Sequence, residues 1–78
     1  MTTALVTGGT GTIGSALVRR LLAEGYTVRA LVRSETSAVA ARDLGAEVAR
    51  GDALDPASLR RAAEGCSLLF HVAGRSGL

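Results

Sequence analysis

The fold of this chain is decided by the stretch Ala4-Leu5-Val6-Thr7-Gly8-Gly9-Thr10-Gly11-Thr12-Ile13-Gly14. A short apolar run meets a glycine-rich turn, and the turn opens directly into a helical pattern. In that pattern Gly14, Leu17, Val18, Leu21, Leu22 and Gly25 fall at i, i+3, i+4, i+7, i+8 and i+11, one continuous stripe. Ser15, Arg19 and Glu24 fall off the stripe. Gly14 lies within it, so the helix can sit close on a sheet, and Gly25 is placed to end the helix. Strand, tight glycine turn and helix in that order form the arrangement that grips a dinucleotide pyrophosphate. Backbone N–H groups reach a phosphate there only because no Cβ stands in the way.

Outward from this start, short apolar runs alternate with helical stretches, which predicts βαβ units and a parallel sheet. The first strand is expected over Thr3 to Thr7 and the second over Tyr26 to Val32. A weaker helix from Thr36 to Leu44 ends at Gly45, and Glu47 to Arg50 reads as a short third strand. Asp55-Pro56 marks the start of a third helix, with Asp as cap and Pro at the first helical position. Leu59, Ala62, Ala63 and Cys66 mark its inner face. Ser67 to Val72 reads as a fourth strand, apolar enough to be covered on both faces. Right-handed crossovers then give strand order 3-2-1-4, with the ligand crevice between strands 1 and 4. The expectation is therefore an α/β fold, a partial Rossmann (doubly wound) sheet with three helices. Residues 1–78 are expected to form a truncated half-domain, lacking a C-terminal half and a substrate-binding part. Strand 4 is then an open apolar edge, prone to self-association.

Composition narrows the function. The 78 residues are 47% hydrophobic and 21% charged, a globular balance. The single cysteine, Cys66, has no partner for an internal disulfide, and the single histidine, His71, cannot build a metal site alone. All nine basic residues are arginine, scattered against seven acids, and make no nucleic-acid stripe. No apolar run approaches a membrane span and no signal-like leader opens the chain, so the reading is a cytoplasmic protein.

Two overlapping glycine patterns, Gly9-x-Gly11-x-x-Gly14 and Gly8-x-x-Gly11-x-x-Gly14, make residues Gly8 to Gly14 the candidate pyrophosphate site. Ile13 belongs to it through its backbone. Thr10 and Thr12 either add hydroxyl donors to the phosphate or cap the helix. An NAD-binding unit carries an acid about 20 residues beyond the glycines, on the ribose hydroxyls. Here Arg33 stands nineteen positions after Gly14. A guanidinium cannot accept from a hydroxyl but pairs with a 2′-phosphate, which favours NADP over NAD. The alternative is a solvated arginine at a strand end. Asp52, followed by Ala53, either accepts from an adenine amino group or serves the turn alone. Ala73 and Gly74 are expected against the ribose next to the nicotinamide, small so that the cofactor can pass; the alternative is a bare loop glycine. His71, inside an apolar strand with no nucleophile or acid at a recognisable spacing, reads as structural, and so does Arg29.

These residues resemble the N-terminal part of the extended short-chain dehydrogenase/reductase superfamily, in particular its NAD-dependent epimerase/dehydratase and dihydroflavonol-reductase-like members. The likeness rests on Val6 to Gly14, Val28 to Arg33, Gly51-Asp52-Ala53-Leu54-Asp55 and Phe70-His71-Val72-Ala73-Gly74, in the family's order and spacing. Thr12 departs from it where an aromatic residue is frequent. The resemblance implies a dinucleotide cofactor and an oxidoreductase or epimerase as parent. It also implies a catalytic tyrosine with a lysine four residues later, and this chain has neither lysine nor a matching tyrosine. The expectation is a cofactor-binding fragment without activity of its own, its substrate unreadable. The competing reading is a free-standing nucleotide-binding or regulatory module that meets a partner along strand 4.

Overall fold

Seven elements follow one another along the chain: β1 (Thr3–Thr7), α1 (Thr12–Ala23), β2 (Thr27–Val32), α2 (Glu35–Leu44), β3 (Glu47–Arg50), α3 (Pro56–Ala62) and β4 (Leu68–His71). The computed structural model describes residues 2–8 and 11–72. All strand pairs are parallel, in the order β3-β2-β1-β4. This is the α/β doubly wound arrangement that the sequence predicts, with three helices.

Alternation along β1 sets the two layers. Ala4 and Val6 face α1 and α2, in a core with Val18, Leu21, Val28, Ala30, Val32, Ala38 and Ala41. Leu5 faces the other way, into a smaller core with Leu31 and Ala62 beneath α3. Gly14, Val18 and Leu21 are the buried residues of α1, and all belong to the sequence stripe. That helix ends at Gly25, whose φ of 94° lets Tyr26 N donate to Leu21 O at 3.0 Å and Gly25 N to Leu22 O at 3.1 Å. A side chain at that φ is disfavoured by its Cβ.

Side-chain caps fix the starts of two helices and shift one of them. Ser34 Oγ accepts from Ser37 N at 3.1 Å, so α2 begins at Glu35 rather than Thr36. Asp55 caps α3 as expected, accepting from Ala57 N at 3.2 Å and from the Ser58 hydroxyl at 3.0 Å. Arg29 is structural: Nη1 donates to the carbonyls of Ala62 at 2.8 Å and Glu64 at 2.6 Å, closing the carboxyl end of α3. Cys66 is half-buried against the Leu5 cluster, the small core residue its position suggests.

The expectation that strand 4 is covered on both faces fails for the described residues. Leu69, in register with Leu5, is 53% exposed, and Leu68 is 37% exposed. For Leu69 the reason is geometric: α3 packs on β2, β3 and Leu5, leaving its side of β4 bare among the described residues, whereas Leu68, in register with Ala4, stands on the opposite face. β4 is also paired on one side only among the described residues.

Candidate functional site

The carboxyl ends of the four parallel strands open into one cleft of about 380 Å³. Its wall is built by Thr7 at the end of β1 and Gly8 after it, by Leu31 and Val32 on β2 and Arg33 after it, by Gly51 to Leu54 after β3, and by His71 at the end of β4 and Val72 after it, with Ser37 from α2. Four of the residues singled out from the sequence, Gly8, Arg33, Asp52 and Ala53, meet there. Gly11, Thr12, Ile13 and Gly14 lie at the amino end of α1, outside that lining. Gly9, Thr10, Ala73 and Gly74 lie outside the described residues.

Two glycines of the turn have different physical reasons to be glycine. Gly8 has φ of 76°, and a Cβ on it would stand 2.5 Å from the carbonyl oxygen of Val72. The turn is pressed against the end of β4, where Val72 N also donates to Thr7 O at 3.0 Å. Gly8 is thus required by the fold. Gly11 is not. Its φ of −79° and ψ of 179° suit any residue, and a Cβ there meets nothing within 4 Å among the described residues.

That open space adjoins free amides. The first bond of α1 runs from Ser15 N to Gly11 O at 2.8 Å, so the amides of Thr12, Ile13 and Gly14 have no acceptor within the helix. Gly11 brings no capping side chain, and the first turn holds no acid. In contrast, α2 and α3 are both closed by side-chain oxygens, from Ser34 and Asp55. Thr12 is helical and exposed and does not cap, which removes one of its two readings. Ile13 is 74% exposed, an apolar side chain at the mouth of the helix. An anion at this terminus gains both the amides and the helix dipole. These residues fit a diphosphate.

Arg33 is exposed, lines the cleft, and has no hydrogen bond or ion pair among the described residues. The nearest acid in sequence, Glu35, is engaged elsewhere, by Arg50 and by Arg42 at 3.6 Å. Asp52 does serve its turn: Oδ1 accepts from Leu54 N at 2.9 Å, and Asp52 O accepts from Asp55 N at 2.9 Å. The turn accounts for one carboxylate oxygen.

Sequence reading left out Thr7, Ser37 and the cleft-facing position of His71. Thr7 reads as the end of the first strand, where it meets the glycine turn, and there its side chain reaches the cleft. His71 is not enclosed by apolar neighbours but is exposed at the end of β4, its Nδ1 2.5 Å from Thr7 Oγ1. The parallel register of strands 1 and 4 is the signal that joins them. No cluster of metal ligands occurs among the described residues. No helix among them is long and apolar enough to cross a membrane.

A family described as NmrA-like matches residues 1–77. The chain belongs to the NmrA-like family. This NmrA-like chain is 48% identical over 71 residues to sterol demethylase protein B of Methylococcus capsulatus, covering 91% of the chain and 22% of that protein. It is 45% identical over 73 residues to a putative dihydroflavonol 4-reductase of Synechocystis, covering 94% and 21%. Among solved structures, gox2253 matches with a TM-score of 0.84 and 42% identity, over 100% of this chain and 24% of that one. A blue fluorescent protein from a metagenomic library, solved with NADPH, matches with a TM-score of 0.68 and 36% identity, over 81% and 29%. The NmrA-like chain thus spans about a fifth of the length of these curated relatives. The reductase and epimerase likeness read from the motifs stands.

Proposed function

We propose that this chain is the dinucleotide-binding part of an NADP-dependent oxidoreductase or epimerase. The cofactor's pyrophosphate lies on the main-chain amides of the Gly8–Gly14 turn. The observation that carries this is the amino end of α1, whose free amides adjoin the open space at Gly11. The NADPH held by the blue fluorescent protein supports it. Arg33 takes the 2′-phosphate through a charge-assisted fork, and the second oxygen of Asp52 accepts from the adenine amino group. Ala53 lines the same cleft beside the adenine, and Ala73 and Gly74, small residues that follow β4 in sequence, are assigned to the cofactor's ribose next to the nicotinamide.

The nicotinamide ring, when bound, supplies the hydride; the protein supplies grip and orientation. The chain by itself does not complete the reaction. Its only tyrosine, Tyr26, is half-buried against the α1–α2 core just before β2, at the end of the sheet opposite the cleft. With no lysine in the 78 residues, no Tyr–Lys proton relay forms. Substrate and catalytic groups then belong to a longer protein, and 1–78 is its cofactor-binding half-domain, working in the cytoplasm. A second reading is favoured by the exposed Leu68 and Leu69: a nucleotide-binding module that pairs with a partner through β4.

Titrating the chain with NADPH and NADH by calorimetry tests the cofactor assignment. Tighter binding of NADPH is expected, and Arg33→Asp is expected to weaken NADPH by about tenfold or more while leaving NADH within about twofold. Equal weakening of both cofactors assigns Arg33 to the fold instead.

A further inference from the structure

The hydroxyl of Thr7 is a buried polar group that the nucleotide reading leaves unused. Thr7 is 2% exposed, at the last residue of β1, and its register partner is His71, the last residue of β4. Both side chains stand on the face of the sheet that carries α3, beyond Leu5, the β1 residue that packs under that helix. Thr7 Oγ1 and His71 Nδ1 are 2.5 Å apart.

Proton accounting fixes the direction of this bond. Thr7 Oγ1 has no other hydrogen bond among the described residues. A buried hydroxyl that only accepted would leave its own proton without a partner, at a desolvation cost. Donation from Thr7 to Nδ1 satisfies both atoms and leaves the ring proton on Nε2. The His71 ring is exposed and lines the cleft, and Nε2 has no protein partner among the described residues. The pair is flanked by Gly8 and Val72, the two residues whose backbones touch where the glycine turn begins.

We propose that Thr7 holds His71 in its Nε2-protonated form, and that this N–H donates a hydrogen bond to an oxygen of the ribose–phosphate part of the bound dinucleotide. Thr7 is then a positioning residue and His71 a binding residue. The second half of this inference rests on the nucleotide reading above; the first half does not.

Nitrogen-15 NMR of the histidine ring in the full chain tests the first half without any substitution. The result expected is a ring protonated at Nε2 with Nδ1 accepting; a ring protonated mainly at Nδ1 overturns it. For the second half, NADPH affinity is compared across variants by calorimetry. His71→Phe is expected to weaken binding about five- to tenfold, and His71→Gln, whose amide nitrogen replaces Nε2, to keep most of it. Thr7→Val is expected to lose affinity and Thr7→Ser to retain it. An affinity within twofold of the parent for His71→Phe overturns the proposed contact. Failure of the parent chain to bind NADPH overturns the nucleotide reading and this contact with it, while the ring tautomer still decides the role of Thr7.

Discussion

Gly8 and Gly11 are both glycines of one turn, yet a substitution at each has opposite expected consequences. At Gly8 the positive φ opposes a side chain, and so does the Val72 carbonyl oxygen, 2.5 Å from where a Cβ would stand. Gly8→Ala is therefore expected to destabilise the fold by about 2 kcal/mol or more, read by urea denaturation. At Gly11 the backbone is ordinary and the space is open, and serine is a better cap than glycine for a helix that lacks one. Gly11→Ser is expected to leave stability unchanged within about 0.5 kcal/mol or raise it, because its hydroxyl takes one free amide. The same variant is expected to lose about tenfold in NADPH affinity, since the hydroxyl occupies the phosphate's place. A large loss of stability in Gly11→Ser would mean that the turn is glycine for reasons of folding. Sequence reading sets Gly14 apart for its packing but treats Gly8 and Gly11 alike. Their different roles depend on what stands opposite each, and that is a property of β4, some sixty residues away.

Among the elements, α3 is the shortest helix and depends most on its ends. It is fixed by Asp55 at the amino end and by the Arg29 guanidinium at the carboxyl end. Asp55→Ala removes the cap on Ala57 N and also strands the hydroxyl of the buried Ser58. The expected loss is about 1–2 kcal/mol, a few degrees or more in melting temperature, read by circular dichroism. No change would mean that packing on Leu5 and Leu31 alone holds this helix. Asp55-Pro56 is legible as a helix start because both residues act locally. The same holds for the α1 stripe, for Gly25, and for the strand order, which follows from crossover handedness. What local chemistry cannot reveal is contact across the sheet. The Arg29 bonds to the end of α3 and the Thr7–His71 pair both depend on register, and only the general expectation that Arg29 is structural reaches that far.

At the scale of the whole molecule, the sheet is asymmetric. One face carries two helices, and the other carries one that packs on β2, β3 and Leu5 of β1. β4 is left with exposed Leu68 and Leu69 and an unpaired side among the described residues. Such an edge templates association. Sedimentation velocity is expected to find the chain's average mass rising with concentration, and Leu69→Glu to shift it toward monomer with little change in stability. Persistence of the same association in that variant would place the contact elsewhere. The cleft, by contrast, gathers residues from three strands and from the turn after β3, so its integrity reports on the whole sheet. The role proposed for it requires that backbone amides at the start of α1 hold a diphosphate. The most direct measurement is the response of the Thr12, Ile13 and Gly14 amide resonances as NADPH is titrated into nitrogen-15-labelled protein. Large, saturable shifts at these three amides are the predicted result; saturable binding that leaves them unmoved, or no binding at all, would contradict it.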